Sequence, residues 1–407
     1  MARLVQKFGG TSVGDPDRIR EVADHVARCR RRGDEVVLVV SAMGKETDEL
    51  LRLANDVSRT QPGREMDMLI TAGERKAIAL VCMALADVGV PAKSYTGSQA
   101  GFVTDTAHTD AKILEVRPNR ILEGLAAGEV AVIAGAQGVS TDNDVTFLGR
   151  GGSDTTAVAI AEAIGADACE LYTDVAGVYT TDPRLVSTAR RMSEITFDEL
   201  LEMTATGCPK PAMRSVEYAR RHNVKLHVRS AFTWEPGTWV VEKESSMEQA
   251  AVRAVTHDFS EAKITVSSVP DRPGIAARLF RALADANVNV DMIVQNASAA
   301  GVTDISFTVP SEQVDLAISV TEALQGDLAA TEVKADRSIA RVSVIGAGMK
   351  TNPGIAATMF ETLSDAGINI EMISTSAIRI SCVVSQDQAE EAVALLHDRF
   401  ELHKSTS

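Results

Sequence analysis

Through the first 230 residues short apolar runs alternate with longer amphipathic ones. Leu4–Lys7, Val36–Val40, Val130–Ile133, Cys169–Tyr172 and Lys225–Val228 are apolar or β-branched over four or five positions, the pattern of strands buried on both faces. Between them the period lengthens to that of helices. In Asp17–Arg32, Ile19, Val22, Ala23, Val26 and Ala27 share one face, with Asp15 or Asp17 as N-cap. Glu65–Leu85, Thr155–Ile164 and Ser193–Thr204 read the same way. Strands alternating with helices predict an α/β domain, a mainly parallel sheet sandwiched by helices. Ligands of such sheets bind beyond the C-terminal strand ends. Two polar, glycine-rich loops fall there: FGGTS after the first strand and SAMG after the second.

The C-terminal part repeats itself. PGIAARLFRALADANVNVDMI begins at Pro273 and PGIAATMFETLSDAGINIEMI at Pro353, an ungapped offset of 80 residues. Identities such as Phe280/Phe360, Leu283/Leu363, Asn289/Asn369 and Met292/Met372 establish a duplication. Each copy reads as a strand (Lys263–Val269; Ala340–Ile345), a Pro-Gly turn, a helix and two further strands, which predicts a small ferredoxin-like domain. Phe232–Phe259, with Trp234, Pro236 and Gly237 near its start, reads as a connection. The predicted boundaries are 1–231 for the α/β domain, 232–260 for a linker, and 261–338 and 339–407 for the two copies.

Composition narrows the classes. With 45% apolar and 24% charged residues among 407, the chain is that of a folded, multi-domain protein. A net charge of −15 argues against a general nucleic-acid binder. Cys29, Cys82, Cys169, Cys208 and Cys382 form no C-x-x-C pair, so neither a zinc site nor a disulfide framework is expected. No N-terminal apolar run suits a signal peptide, and the longest apolar stretches are strand-length. The expectation is a soluble cytoplasmic protein without membrane contact.

Three strings carry candidate chemistry. In KFGGTS (Lys7–Ser12), adjacent glycines let backbone N–H groups approach phosphate oxygens and the lysine adds a positive charge; alone it is as well read as a tight turn. GRGGSDTTA (Gly149–Ala157) places Arg150, Ser153 and Asp154 at a helix start, where N–H groups favour anions and an arginine can clamp a carboxylate. The plainer reading makes Ser153 or Asp154 an N-cap, and the two are compatible. TDVAGVYTTDPR (Thr173–Arg184) follows a strand and reads by itself as a polar surface loop.

Together with SAMGKETDEL (Ser41–Leu50), EMDMLITAGER (Glu65–Arg75), RSVEYA (Arg214–Ala219) and the doubled C-terminal unit, these strings resemble the aspartokinases essentially end to end. The resemblance implies an amino-acid-kinase fold followed by two ferredoxin-like βαββαβ ACT domains, and phosphoryl transfer from ATP with Mg²⁺ to the side-chain carboxylate of aspartate. It places Lys7 at the transferring phosphate, with Phe8, Gly9, Gly10 and Ser41 lining the phosphate loop. Glu74 would take the substrate ammonium and Arg150 its carboxylate, beside Thr47, Gly151, Gly152 and Ser153. Asp154 would organise the catalytic lysines and metal, and Thr173, Asp174, Tyr179, Asp182, Arg184 and Lys210 would hold the nucleotide. Phosphoryl transfer needs positioning and charge neutralisation more than a general base, and this set supplies both. No protein metal site is expected.

Four positions depart from the family pattern. Gly207-Cys208-Pro209-Lys210-Pro211 displaces the family's lysine by one residue. Ala136 stands where a phenylalanine would wall the substrate pocket, which predicts a roomier pocket. Ala77, preceded by Lys76, replaces a serine, and Ala377 replaces a frequent glutamate. Two other readings therefore stand beside aspartate kinase: a relative acting on a bulkier acceptor, and an effector-binding protein with a weak kinase half. The resemblance also implies threonine or lysine as effector, at Asp271, Gly274, Asp291, Gln295, Asn369 and Ile370. The loss of a carboxylate at Ala377 favours threonine. Homo-oligomerisation is expected, or association with a shorter ACT-only product; an internal start at Met247 would leave 161 residues.

Overall fold

The computed structural model describes residues 1–243, 251–295, 301–349 and 352–404, and Met247 lies outside them. The chain divides into two compact units. One comprises Met1–Val178, Arg191–Thr204 and Pro209–Ser245; the other comprises Tyr179–Arg190, Ala205–Cys208 and Ser246–Ser407.

The first unit is built on an eight-stranded sheet. In spatial order its strands are Glu194–Thr196, Thr238–Val241, Leu226–Ser230, Ala168–Thr173, Arg3–Phe8, Glu35–Val40, Val130–Ala134 and Ala92–Tyr95. Every pairing is parallel except that of Leu226–Ser230 with Thr238–Val241. The central strands bury nearly every residue because helices cover both faces, which is why they carry no polar alternation. Asp15 caps helix Pro16–Arg31 by accepting from the Arg18 N–H, and Ile19, Val22, Ala23, Val26 and Ala27 of that helix enter the core.

Two sequence readings change. The single helix expected over Glu65–Leu85 is two, Gly63–Ile70 and Ala72–Asp87. At the break the Thr71 hydroxyl donates to the Asp67 carbonyl, a local bond that competes with helix continuation. Ser193–Thr204 begins as the strand Glu194–Thr196 and turns helical at Phe197. There the Thr196 hydroxyl accepts from the Glu199 N–H while the Glu199 carboxylate accepts from the Thr196 N–H, a reciprocal cap that starts the helix.

The second unit holds two four-stranded sheets. The first orders Ile293–Gln295, Val302–Pro310, Glu261–Pro270 and Glu332–Asp336, with helices Ile275–Asp285 and Val314–Ala323, so it is βαββαβ. The second orders Ala254–Asp258, Ile339–Ile345, Arg379–Ser385 and Met372–Thr375. Its outer strand therefore comes from before the first module, pairing antiparallel with Ile339–Ile345. Phe232–Phe259 is accordingly no bare connection, since it supplies one strand to each unit.

Candidate active site

The strand Arg3–Phe8 ends in the loop that begins at Gly9, and the strand Glu35–Val40 ends in Ser41–Gly44. Gly44 N–H donates to the Gly10 carbonyl and Ser41 N–H to the Phe8 carbonyl, which joins the two loops. A Cβ on Gly10 would come within 2.8 Å of the Ala42 carbonyl oxygen, so this close approach requires glycine.

Lys7 is buried at the end of the first strand, with Nζ 2.6 Å from Asp154 Oδ1. Asp154 lies in the first turn of helix Gly152–Ala163 and its second oxygen accepts from Ala212 N–H at 3.0 Å. Burial alone would raise the Asp154 carboxyl. The Lys7 ammonium, the Ala212 N–H and the charge of Lys210 outweigh burial and hold it below its ordinary value. Lys210 is lowered by the Lys7 ammonium and by partial desolvation, against the pull of Asp154 and Asp174. The lysine displaced between two prolines thus shares the electrostatic field of Lys7 and Asp154.

Gly151 starts the helix in the left-handed region, at φ 72°, where a Cβ would meet the Ala212 methyl at 2.4 Å. Gly152 and Ser153 follow, buried, while Arg150 is exposed and makes no hydrogen bond or ion pair with the described residues. Ala136 is buried beside this helix start, its N–H donating to the Thr156 hydroxyl at 3.0 Å. Thr47 is half-buried in the first turn of helix Glu46–Val57.

Glu74, in the first turn of helix Ala72–Asp87, is 3% exposed. One carboxylate oxygen accepts from Ala42 N–H at 3.3 Å and the other, Oε2, has no partner. Burial pushes its pKa up to about 7, opposed by backbone N–H groups and reinforced by Glu46. A buried carboxylate oxygen without a donor suits a ligand ammonium.

The nucleotide set divides. Thr173 donates its hydroxyl to Asp174 at 2.9 Å in the first unit. Tyr179, Asp182 and Arg184 belong to the second unit. There Asp182 is engaged by Arg184, whose guanidinium at 2.7 Å and backbone N–H lower the carboxyl below its usual range.

Among the effector candidates, Asp271, Gly274, Asp291 and Gln295 lie in the first module of the second unit, and Asn369 and Ile370 line a shallow cleft of the second with Phe360, Ser364 and Ile368. Asp271, Gly274 and Gln295 are exposed. Asp291 is not a free carboxylate, because it pairs with the buried Arg341 guanidinium. Sequence reasoning missed Arg341, together with the Ala212 and Ala42 N–H groups; backbone donors leave no mark in a motif, and only the fold brings them to their carboxylates.

The amino acid kinase family matches residues 2–230, and the ACT domain matches residues 263–323 and 342–400. The aspartokinase of Mycolicibacterium smegmatis is 51% identical over 99% of this chain and 97% of its own. The chain belongs to the aspartokinase family. Among aspartokinases of solved structure, E. coli aspartokinase III in complex with aspartate and ADP is 26% identical, with a TM-score of 0.84 over 97% of this chain and 99% of that one. The same enzyme in complex with lysine and aspartate gives a TM-score of 0.75 over 98% and 99%. Among the described residues no helix is long and apolar enough to cross a membrane.

Proposed function

We propose that this chain transfers the γ-phosphate of ATP to the side-chain carboxylate of L-aspartate, at the site that joins Lys7, Glu74, Arg150 and Asp154. The observation that carries the reading is the buried Lys7–Asp154 pair at the end of the first strand, at 2.6 Å, flanked by glycine-rich loops. An ionised aspartate side chain attacks the γ-phosphorus, the bond to the β,γ-bridging oxygen breaks, and ADP leaves; no proton has to move. Lys7, fixed by Asp154, neutralises charge on the transferring group. Lys210 adds a second cation to the same field, and Phe8, Gly9, Gly10, Ser41, Thr173 and Asp174 surround the nucleotide phosphates.

Glu74 Oε2 accepts the acceptor's ammonium and Arg150 clamps its α-carboxylate, beside Thr47, Gly151, Gly152 and Ser153. Magnesium would come with the triphosphate, where it would neutralise phosphate charge, beside Asp154 and the two lysines. The second unit takes a pathway amino acid, lysine or threonine, as effector and mediates self-association, in a cytoplasmic enzyme.

Arg150→Ala tests the acceptor assignment. It is expected to raise the KM for aspartate by at least about tenfold, the loss of a charge-assisted pair, with ATP affinity retained. A parallel loss of ATP binding would assign Arg150 to the nucleotide instead.

A further inference from the structure

Beside Glu74 stands a second carboxylate that the phosphoryl-transfer reading leaves unused. Glu46 opens the helix Glu46–Val57, one residue before Thr47. Lys76, two residues beyond Glu74, pairs with Glu46 Oε1 at 2.7 Å. Glu46 Oε2 is buried and has no partner, as is Glu74 Oε2. Gly73 joins the two: a Cβ there would lie 3.5 Å from the Glu46 carboxyl carbon and 2.9 Å from the methyl of Ala42, whose N–H holds Glu74. Any side chain at Gly73 would wedge these groups apart.

We propose that Glu46, pinned by Lys76, is a positioning residue of the acceptor site, whose negative charge opposes the charge that Glu74 must carry to hold an acceptor ammonium. The inference rests on the reading of Glu74 as the ammonium-binding group.

Other charges around Glu74 are engaged elsewhere or exposed. On its own helix, Lys76 is turned to Glu46 and Arg75 is half-buried. On helix Gly63–Ile70, Asp67 meets His108 and the Thr109 N–H, and Arg64 meets Asp144 and Glu65. On helix Pro16–Arg31, Arg18 pairs with Glu21 and Arg20 with Asp17, and Arg30 donates to backbone carbonyls. His25 there faces Tyr172, while Asp24, Arg28 and Arg31 are exposed. From the sheet, Glu35 pairs with Arg3, Lys93 lies over the Tyr95 ring, and Lys7 is held by Asp154. After burial and the backbone N–H groups, Glu46 is the one side-chain charge among the described residues that acts on Glu74, and it acts by repulsion.

The test is the pH dependence of the KM for aspartate at saturating MgATP in the full chain, from about pH 5.5 to about pH 9. In the wild type, affinity falls as the pH drops through about 7, as Glu74 takes up a proton. Glu46→Gln removes the repelling charge and moves that acid limb down by about half a pH unit or more, an approximately threefold change in proton affinity. Lys76→Met leaves Glu46 charged without its cation and moves the limb up. The KM for ATP stays in place in both. Limbs that coincide in all three proteins overturn the inference, as does a KM raised equally at every pH, or a wild type with no limb near neutrality. Glu74→Gln separates the two readings. If it keeps wild-type affinity for aspartate, the assignment of Glu74 itself falls. If it loses affinity while Glu46→Gln leaves the limb unmoved, only the role of Glu46 falls.

Discussion

In the first unit the buried Lys7 ammonium meets one carboxylate, that of Asp154, whereas in the second the buried Arg341 guanidinium meets three, those of Asp258, Glu261 and Asp291. Around Lys7 the charges are mixed: Lys210 shares a field with Lys7, Asp154 and Asp174. Around Arg341 the balance is anionic, and burial pushes Glu261 up, with Asp291 and Asp258 adding to it against the pull of Arg341. Two lysines held beside glycine-rich loops suit a triphosphate and a carboxylate substrate. A buried arginine over-matched by acids offers such ligands nothing. It ties strand Ile339–Ile345 of the second module to Glu261 and Asp291 of the first, and also donates to the Ala205 carbonyl. The first cluster suits the proposed site, and the second works as a joint.

The sharpest way to break this contrast is to remove each cation. Lys7→Met leaves Asp154 buried without its ion-pair partner; it is expected to abolish aspartate-dependent ADP release and to destabilise the first unit by about 3–5 kcal/mol, read by denaturant unfolding. Arg341→Met, with side chain 1% exposed, is expected to destabilise the second unit on the same scale, about 3–5 kcal/mol. A second unit that unfolds unchanged in that variant would mean Arg341 is no joint.

Glu74→Gln sharpens the comparison from the acid side. In the folded protein the Glu74 pKa is raised from 4.5 to about 7, so burying its charge costs stability that grows as pH climbs from the unfolded value to the folded one. The variant is therefore expected to be more stable than the wild type at about pH 8, by at most about 3 kcal/mol, with the gap closing by about pH 4. Thermal melts at both pH values check this, and an equal shift at both would contradict it. Asp291→Asn has a smaller effect, about 1 kcal/mol or less, because its side chain is 45% exposed and two acids still hold Arg341. Ala136→Phe bears on specificity rather than on the stability contrast: it is expected to narrow acceptor choice towards aspartate, read from relative kcat/KM across a panel of amino acids. An unchanged profile would show that position 136 does not wall the acceptor pocket.

The parallel strands and their glycine loops were legible because their cause is local: all-apolar runs and chain reversals write themselves into consecutive residues. Lys7, Glu74, Arg150 and Asp154 stand in strings that resemble a family, and the structure pairs Lys7 with Asp154 and buries Glu74. What the sequence hid depends on distant pairing. Ala254–Asp258 looked like linker because its partner strand, Ile339–Ile345, lies beyond an entire intervening module. Asp291 looked like a free effector ligand because nothing near it in sequence announces Arg341. The break at Thr71 turns on one hydroxyl bond to Asp67, too small a signal to interrupt a helical period. Asp182 and Arg184, read from the sequence as nucleotide ligands, pair with each other across two residues, a contact that the string alone does not announce.

The proposed site around Lys7 would make an acyl phosphate on aspartate, and that product can be trapped. Incubation of the purified chain with MgATP, hydroxylamine and one amino acid at a time traps that product as a hydroxamate while ADP is counted. Hydroxamate and ADP are expected in equal amounts with L-aspartate, and neither with the Lys7→Met variant. A chain that releases no ADP with aspartate, or that forms more hydroxamate with a bulkier acid, would contradict this reading of the site.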